Sequence, residues 1–190
     1  MPRKRTLAVA ALIGTTFLAA GTAAMADVWA PESPPFHGTK RFYHIIENLH
    51  SGLGLGVPGA STDNGTQIIQ WNGVNVAMNN QWEIVRPAAS PGFMLRNRWS
   101  RQCLTVHSKT VGAPVVQEPC QNSINQQWVT EKVNGIDPHF VAFKNLHSGL
   151  DMVVDNASTA LGAKVIQWSR TTAPNAFFNI TAPVGLQVTD

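Results

Sequence analysis

From Arg41 to Val188 apolar and polar residues alternate in short stretches, and no segment sustains a 3.6-residue period. The alternation is punctuated by a motif that recurs three times: Asn79-Asn80-Gln81-Trp82, Asn125-Gln126-Gln127-Trp128 and Asn175-Ala176-Phe177-Phe178. Each copy sets an Asn three residues before a bulky aromatic, with Ile84, Thr130 or Ile180 two residues beyond it. Residues two apart share one face of a strand, so each copy predicts a short strand with a buried aromatic and a polar corner before it. Further upstream in each unit stand Asn48-Leu49-His50-Ser51-Gly52, Asn97-Arg98-Trp99-Ser100-Arg101 and Asn145-Leu146-His147-Ser148-Gly149. Apolar Ile46, Leu95 and Phe143 precede each Asn by two, and Leu55, Leu104 and Met152 follow by seven. Turn residues flanked by alternation predict a hairpin. Between hairpin and aromatic lie Ile68-Ile69-Gln70-Trp71, Val115-Val116-Gln117-Glu118 and Val165-Ile166-Gln167-Trp168, β-branched runs that end at a surface position. About four short strands per unit, over residues 41–86, 91–131 and 139–183, predict an all-β fold with pseudo-threefold repetition.

The first residues change what the charge means. A basic Met1-Pro2-Arg3-Lys4-Arg5, an apolar run from Leu7 to Ala20 and Ala24-Met25-Ala26 predict a secretory signal peptide over 1–26, with Asp27 as the first mature residue. The apolar run is shorter than the ~20 residues that span a bilayer, so no membrane span is expected in the mature chain. Removing the signal takes away three of the fourteen basic residues and no acid, leaving eleven bases against eleven acids. A chain near neutrality lacks the basic footprint of a nucleic-acid binder. Its abundant Asn, Gln, Ser, Thr and Gly suit neutral polar ligands instead. Residues 27–40, with Pro31, Pro34 and Pro35, predict an extended arm pinned by Trp29 and Phe36. In an exported chain the two cysteines, Cys103 and Cys120, are expected to form a disulfide.

Three units, each closing on Gln-x-Trp or a worn form of it, resemble the ricin B-type lectin family over roughly Arg41 to Ala182. The second unit carries the resemblance best, through Cys103-Leu104-Thr105-Val106, Cys120 and Asn125-Gln126-Gln127-Trp128. The resemblance implies a β-trefoil of twelve strands and the binding of sugars, often galactose-containing, in shallow pockets, one per unit. It also implies a disulfide within a unit where Cys103 and Cys120 stand.

In that family a pocket needs an Asp before the Val of Cys-Leu-Asp-Val, a stacking aromatic and the amides of the last motif. The carboxylate accepts from sugar hydroxyls, the sugar's apolar face lies on the ring, and an amide fixes a further hydroxyl. Carried onto this chain, the Asp position holds Gly56, Thr105 and Val153. Trp71 and Trp168 take the stacking position in the outer units and Glu118 in the middle one. The amides are Asn79 with Asn80, Asn125 with Gln126, and Asn175 with Ala176. No unit has the full set. The candidate sugar-binding residues are therefore Trp71, Asn72, Asn79, Asn80, Thr105, Asn125, Gln126, Trp168 and Asn175. Asp63 is the nearby acceptor in sequence for the first unit and Asp155 for the third.

Other readings of the same residues stand beside this one. Trp82, Trp128 and Phe178 read as core, and the repeated amides as partners for backbone groups at a strand corner. Trp71 and Trp168 read equally as ligand platforms or as surface packing. Asp151 and Arg170 align with Cys103 and Cys120, which predicts an ion pair where the middle unit has its disulfide; the first unit has only Gly54 and Gly73 there. The acids are scattered and no nucleophile–His–acid pattern stands out, so the expectation is a non-catalytic chain without metal or cofactor. The expected partner is a glycan or glycoconjugate. A protein partner is the alternative, through a trefoil surface that has lost its sugar pockets.

Overall fold

The computed structural model describes residues 40–72 and 77–188. The expected signal peptide, Trp29 and Phe36 of the expected arm, and Gly73 lie outside these residues. Fourteen strands and five single 3-10 turns are present among the described residues, with no α-helix. Twelve strands belong to the repeat. The first unit holds β2 (Ile46–Asn48), β3 (Gly54–Gly56), β4 (Ile69–Trp71) and β5 (Trp82–Val85). The second holds β6 (Met94–Asn97), β7 (Cys103–Thr105), β8 (Val116–Glu118) and β9 (Trp128–Glu131). The third holds β10 (Ala142–Asn145), β11 (Asp151–Val154), β12 (Val165–Trp168) and β13 (Phe178–Ile180). β1 (Lys40–Tyr43) and β14 (Gly185–Val188) form an antiparallel pair that the repeat pattern did not predict, because it joins the two flanks of the repeat and has no counterpart inside it.

The sheets are offset from the units by one strand. Each four-stranded sheet takes the last strand of one unit and the first three of the next: β5-β6-β7-β8, β9-β10-β11-β12 and β13-β2-β3-β4. Trp82 thus lies opposite Asn97, Trp128 opposite Asn145 and Phe178 opposite Asn48. Each aromatic also bridges back to its own unit, through His44, Phe93 or Val141. Six strands therefore close into a ring without a free edge, and the three hairpins β3-β4, β7-β8 and β11-β12 complete the trefoil. Around the pseudo-threefold axis the Ile68 N–H donates to the Val115 carbonyl (2.9 Å), Val115 to Val165 (3.1 Å) and Val165 to Ile68 (2.9 Å). One β-branched run from each unit supplies each bond.

Trp82, Trp128 and Phe178 are fully buried in a shared core with Leu55, Leu104 and Met152. The indole N–H groups donate to the carbonyls of Leu55 (2.9 Å) and Leu104 (3.2 Å), which satisfies the one polar group each ring buries. The polar corners follow the same rule. Asn48, Asn97 and Asn145 are buried. Each side-chain oxygen accepts from the backbone N–H two residues on, at 3.0–3.1 Å. Each amide NH2 donates into the aromatic motif of the preceding unit, to Asn175, Asn79 or Asn125 carbonyls at 2.9–3.1 Å. Asn is required there because one short side chain both forms the turn and reaches the neighbouring unit.

The two ties predicted at equivalent positions are both present. Cys103 and Cys120 form a disulfide with a Cα–Cα distance of 5.1 Å. Arg170 donates to Asp151 through Nε and, at 3.0 Å, through Nη2. Glu131 joins this pair, accepting from both Arg170 and Lys144. Burial pushes the Asp151 carboxyl above its ordinary value against the pull of Arg170. The guanidinium, partly in water, is held up by the same hydrogen bonds.

Candidate functional site

The amide positions all fall on single 3-10 turns: Met78–Asn80, Ile124–Gln126 and Pro174–Ala176. Each turn stands just before an aromatic strand and beside the strand that holds Gly56, Thr105 or Val153. The three pockets can therefore be compared position by position.

In the third unit Trp168, Asn175 and Asp155 come together. They line a cleft of about 220 Å3 with Val153, Ile166 and Thr171. Trp168 is 46% exposed. The Asn175 NH2 donates to the Val154 carbonyl at 2.7 Å, which fixes the amide, while its buried Oδ1 has no partner among the described residues. The arrangement offers an apolar face, an unpaired buried acceptor and a carboxylate at the rim. Val153, where the family has Asp, makes part of the floor apolar.

The first unit reaches a similar end by another route. Trp71 is 44% exposed and Asn72 stands beside it at the surface. Asn79 donates to the Val57 carbonyl at 2.8 Å, as Asn175 does to Val154. At the Asp position, a Cβ built on Gly56 would stand 2.2 Å from Asn80 Oδ1 and 3.6 Å from Trp71 Cβ. The Asn80 amide thus fills the space a side chain at residue 56 would need. Its NH2 reaches the Asn72 carbonyl at 3.4 Å, and its Oδ1 is buried without a partner among the described residues. Asp63 is not part of this group. Its carbonyl accepts from Gln117 Nε2 at 3.0 Å, so it belongs to a loop that crosses to the second unit. A strand-to-strand loop in a trefoil packs on the neighbouring unit, which proximity in sequence does not reveal.

The middle unit is closed. Gln126 Nε2 donates to Thr105 Oγ1 (3.0 Å) and to the Pro119 carbonyl (2.9 Å), while its Oε1 accepts from the Gln121 N–H (2.8 Å). Thr105 Oγ1 donates in turn to the Cys103 carbonyl at 2.9 Å. Both residues are buried. Asn125 accepts from the Ser123 hydroxyl. Glu118, at the stacking position, pairs with His107 at 3.1 Å. Thr105 and Gln126 are thus engaged with each other and with the backbone, and the Asn125 oxygen is engaged by Ser123.

One set of residues escaped the sequence reading. Gln70, Gln117 and Gln167 are fully buried, and each clamps a loop of another unit. Gln70 Nε2 donates to the Ser158 and Ala160 carbonyls, Gln117 to Ser61 and Asp63, and Gln167 to Ser108 and Thr110, all at 2.6–3.0 Å. The recurrence of Gln after each β-branched run was the available signal. These clamps position Trp71, Glu118 and Trp168, the residues that follow them. Among the described residues no three His, Cys, Asp or Glu side chains gather to hold a metal ion.

Comparison with known proteins extends this geometry. No curated protein matches the chain by sequence. Among solved structures, the designed threefold-symmetric protein ThreeFoil is 32% identical with a TM-score of 0.67, over 73% of this chain and 97% of that one. An exo-β-1,3-galactanase from Clostridium thermocellum is 26% identical with a TM-score of 0.68; the match covers 74% of this chain but 30% of that enzyme. The Macrolepiota procera ricin B-like lectin, solved with lactose, is 15% identical with a TM-score of 0.63, over 74% and 95% of the two chains, and shares the fold. The family model described as ricin-type β-trefoil lectin domain-like matches residues 35–118, 78–168 and 124–187, nearly all of the described chain. With three offset sheets, a closed ring of six strands and one amide-bearing 3-10 turn per unit, the chain belongs to the ricin-type β-trefoil lectin family.

Proposed function

We propose that the chain is a secreted, non-catalytic carbohydrate-binding module whose outer units hold sugar and whose middle pocket has closed. Residues 41–188 are the binding domain and 27–40 an arm released to the N-terminus by signal cleavage after Ala26. The observation that carries the reading is the third-unit cleft, where the exposed face of Trp168 stands beside the unpartnered Oδ1 of Asn175. A pyranose would place its apolar face on the ring and donate a hydroxyl to that oxygen. Without the family's Asp, the site lacks a charge-assisted bond worth about 1.5–3 kcal/mol, so binding is weak for a single sugar. Galactose-containing sugars are the first to test, since the Macrolepiota lectin was solved with lactose.

Titration of the protein with lactose and N-acetylgalactosamine, followed through tryptophan indole signals, checks the reading. Saturation that Trp168→Ala and Trp71→Ala each diminish is expected. No saturation in the millimolar range overturns it. Mass analysis of the exported chain should find Asp27 at its start. One observation favours a second reading: no carboxylate stands at residues 56, 105 or 153. A trefoil with eroded pockets can recognise protein instead, and capture of a partner unaffected by competing sugar would support that.

A further inference from the structure

The outer units build their first hairpin turn from one sequence, Asn48-Leu49-His50-Ser51-Gly52 and Asn145-Leu146-His147-Ser148-Gly149. The middle unit keeps the Asn and the Ser but holds Arg98, Trp99 and Arg101 at the other three positions. The backbone is the same in all three. The N–H of the fifth residue donates to the carbonyl of the Asn at 2.9–3.1 Å. The Ser hydroxyl oxygen accepts from the backbone N–H two residues on at 3.2–3.3 Å. The fifth residue is left-handed throughout, with φ of +66° at Gly52, +71° at Gly149 and +63° at Arg101. A Cβ is disfavoured in that conformation, and the outer units avoid one with glycine. Arg101 is therefore not there to build the turn.

The two arginines gather on Tyr43. The Arg98 guanidinium lies 4.6 Å from the centre of the Tyr43 ring and donates through Nη1 to Gln81 Oε1 at 2.6 Å. Arg101 donates through Nη1 to the Tyr43 hydroxyl at 3.0 Å. The nearby carboxylate, Glu83, is held by Arg96 at 2.8 Å, and Arg101 stands 3.7 Å from it. Three guanidiniums thus share one carboxylate, and Arg98 pairs with none among the described residues. Nε and Nη2 of Arg98 and Nε of Arg101 meet no acceptor among those residues. The Arg101 side chain is 36% exposed. The same turn borders the candidate sugar site of the first unit. Asn97 Nδ2 donates to the Asn79 carbonyl at 2.9 Å and Trp99 Nε1 to the Ala60 carbonyl at 2.8 Å. Ala60 is the counterpart of Ala157, which lines the third-unit cleft, and both are left-handed, with φ of +51° and +48°. Trp99 is 51% exposed.

We propose that Arg98 and Arg101 bind a sulfate or carboxylate group of a glycan whose neutral part sits in the first-unit site, with the exposed Trp99 as a further apolar contact. A guanidinium fork matches the paired oxygens of such a group, and the ring of Tyr43 holds one fork in place. The ligand class is then an acidic saccharide. The outer turns, with Leu and Gly at these positions, carry no guanidinium and take no part. The proposal rests on the carbohydrate reading above and adds the anionic group to it.

The test compares a sulfated galactan oligosaccharide with its desulfated counterpart, on the wild type and on an Arg98→Leu/Arg101→Gly variant. Leu and Gly are what the outer turns hold on the same backbone. Thermal unfolding verifies that the variant is folded; Arg98→Leu alone serves where it is not. The wild type is expected to bind the sulfated form about tenfold more tightly at low salt, a gain that shrinks as salt rises. The variant should lose that gain and keep its affinity for the desulfated form within about twofold. Binding of the sulfated form alone, lost in the variant, keeps the anion site and removes the neutral one. Equal affinities for the two forms in the wild type, or a gain that survives in the variant, overturn the anion site and leave the neutral one standing. Hexaglutamate that binds the wild type as tightly as the sulfated sugar shows an unselective positive patch and overturns the proposal as well. If neither oligosaccharide binds, the carbohydrate reading and the anion site fall together.

Discussion

The middle and third units use the same backbone positions for opposite ends. The middle unit ties residue 103 to residue 120 with a disulfide; the third ties 151 to 170 with an ion pair. In the pocket, the middle unit joins Thr105 to Gln126. The third has Val153 and Ala176 at those positions, a gap beside them, and an unpartnered Asn175 oxygen in it. At the stacking position the one has Glu118, paired with His107, and the other the exposed Trp168. What does not differ is equally instructive. Asn97 and Asn145 make the same turn, and Gln117 and Gln167 clamp the same kind of loop. Side chains that satisfy buried backbone groups are held in place by the cost of an unpaired amide, about 1–3 kcal/mol each. Those that face the pocket carry no such penalty and have diverged.

The largest effect should come from the covalent tie. Cys103→Ser/Cys120→Ser removes a closure of 17 residues, for a loss of about 3 kcal/mol in the chain-entropy account. Urea unfolding checks it, and the proposed third-unit site should be unchanged in the folded variant. An unaltered midpoint would mean that the middle unit does not depend on its disulfide.

The ionic tie should be worth less but be harder to break from one side. Arg170→Ala leaves the buried Asp151 without its partner, at a cost of about 1–2 kcal/mol, below the range for fully buried pairs because the guanidinium is partly in water. Asp151→Ala/Arg170→Ala should recover more than half of that loss. If the double variant is no better than the single, the ion pair contributes more than the burial of Asp151 costs.

Much of this comparison was already legible in the residues. The spacing of Trp82, Trp128 and Phe178 disclosed three units, the turn motifs disclosed their hairpins, and alignment alone matched Asp151–Arg170 to the cysteines. What stayed hidden depends on contacts between units. Asp63 follows Val57 closely yet serves the second unit, since its loop is clamped by Gln117. Gly162 and Gly112 come up to the ring edges of Trp71 and Trp168 only once the chain has closed on itself. The role of Asn80 was hidden for a different reason: Gly56 reads as a missing carboxylate, and only packing shows that a neighbouring amide fills the space.

A smaller effect separates the two pockets directly. Trp168→Ala removes the apolar face of the third site and should weaken sugar binding about tenfold, or 1.4 kcal/mol. Gln126→Ala in the middle unit should leave sugar affinity unchanged while lowering stability by about 1 kcal/mol, since the Gln121 N–H and Pro119 carbonyl lose a partner. A loss of sugar affinity in Gln126→Ala would show that the middle pocket opens to ligand after all.

The first unit supplies the last and smallest test of how strictly a position fixes chemistry. His44 occupies the ring bridge that Phe93 and Val141 fill in the other units. Its imidazole is buried and Nδ1 donates to the Thr181 carbonyl at 2.8 Å, which fixes a proton on Nδ1. Burial lowers its pKa below the ordinary 6.5, and the carbonyl contact only partly opposes that. The unfolded chain therefore takes up a proton before the native state does as pH falls. Its contribution to stability is complete above pH 6.5 and is lost between 6.5 and the lower native value. Unfolding free energy should decline by up to about 1 kcal/mol between pH 8 and 5.5 through this group. His44→Phe, which copies the middle unit, should flatten that decline while keeping the ring closed. If the slope persists in the variant, the acid sensitivity lies elsewhere, and the bridge position tolerates histidine without consequence.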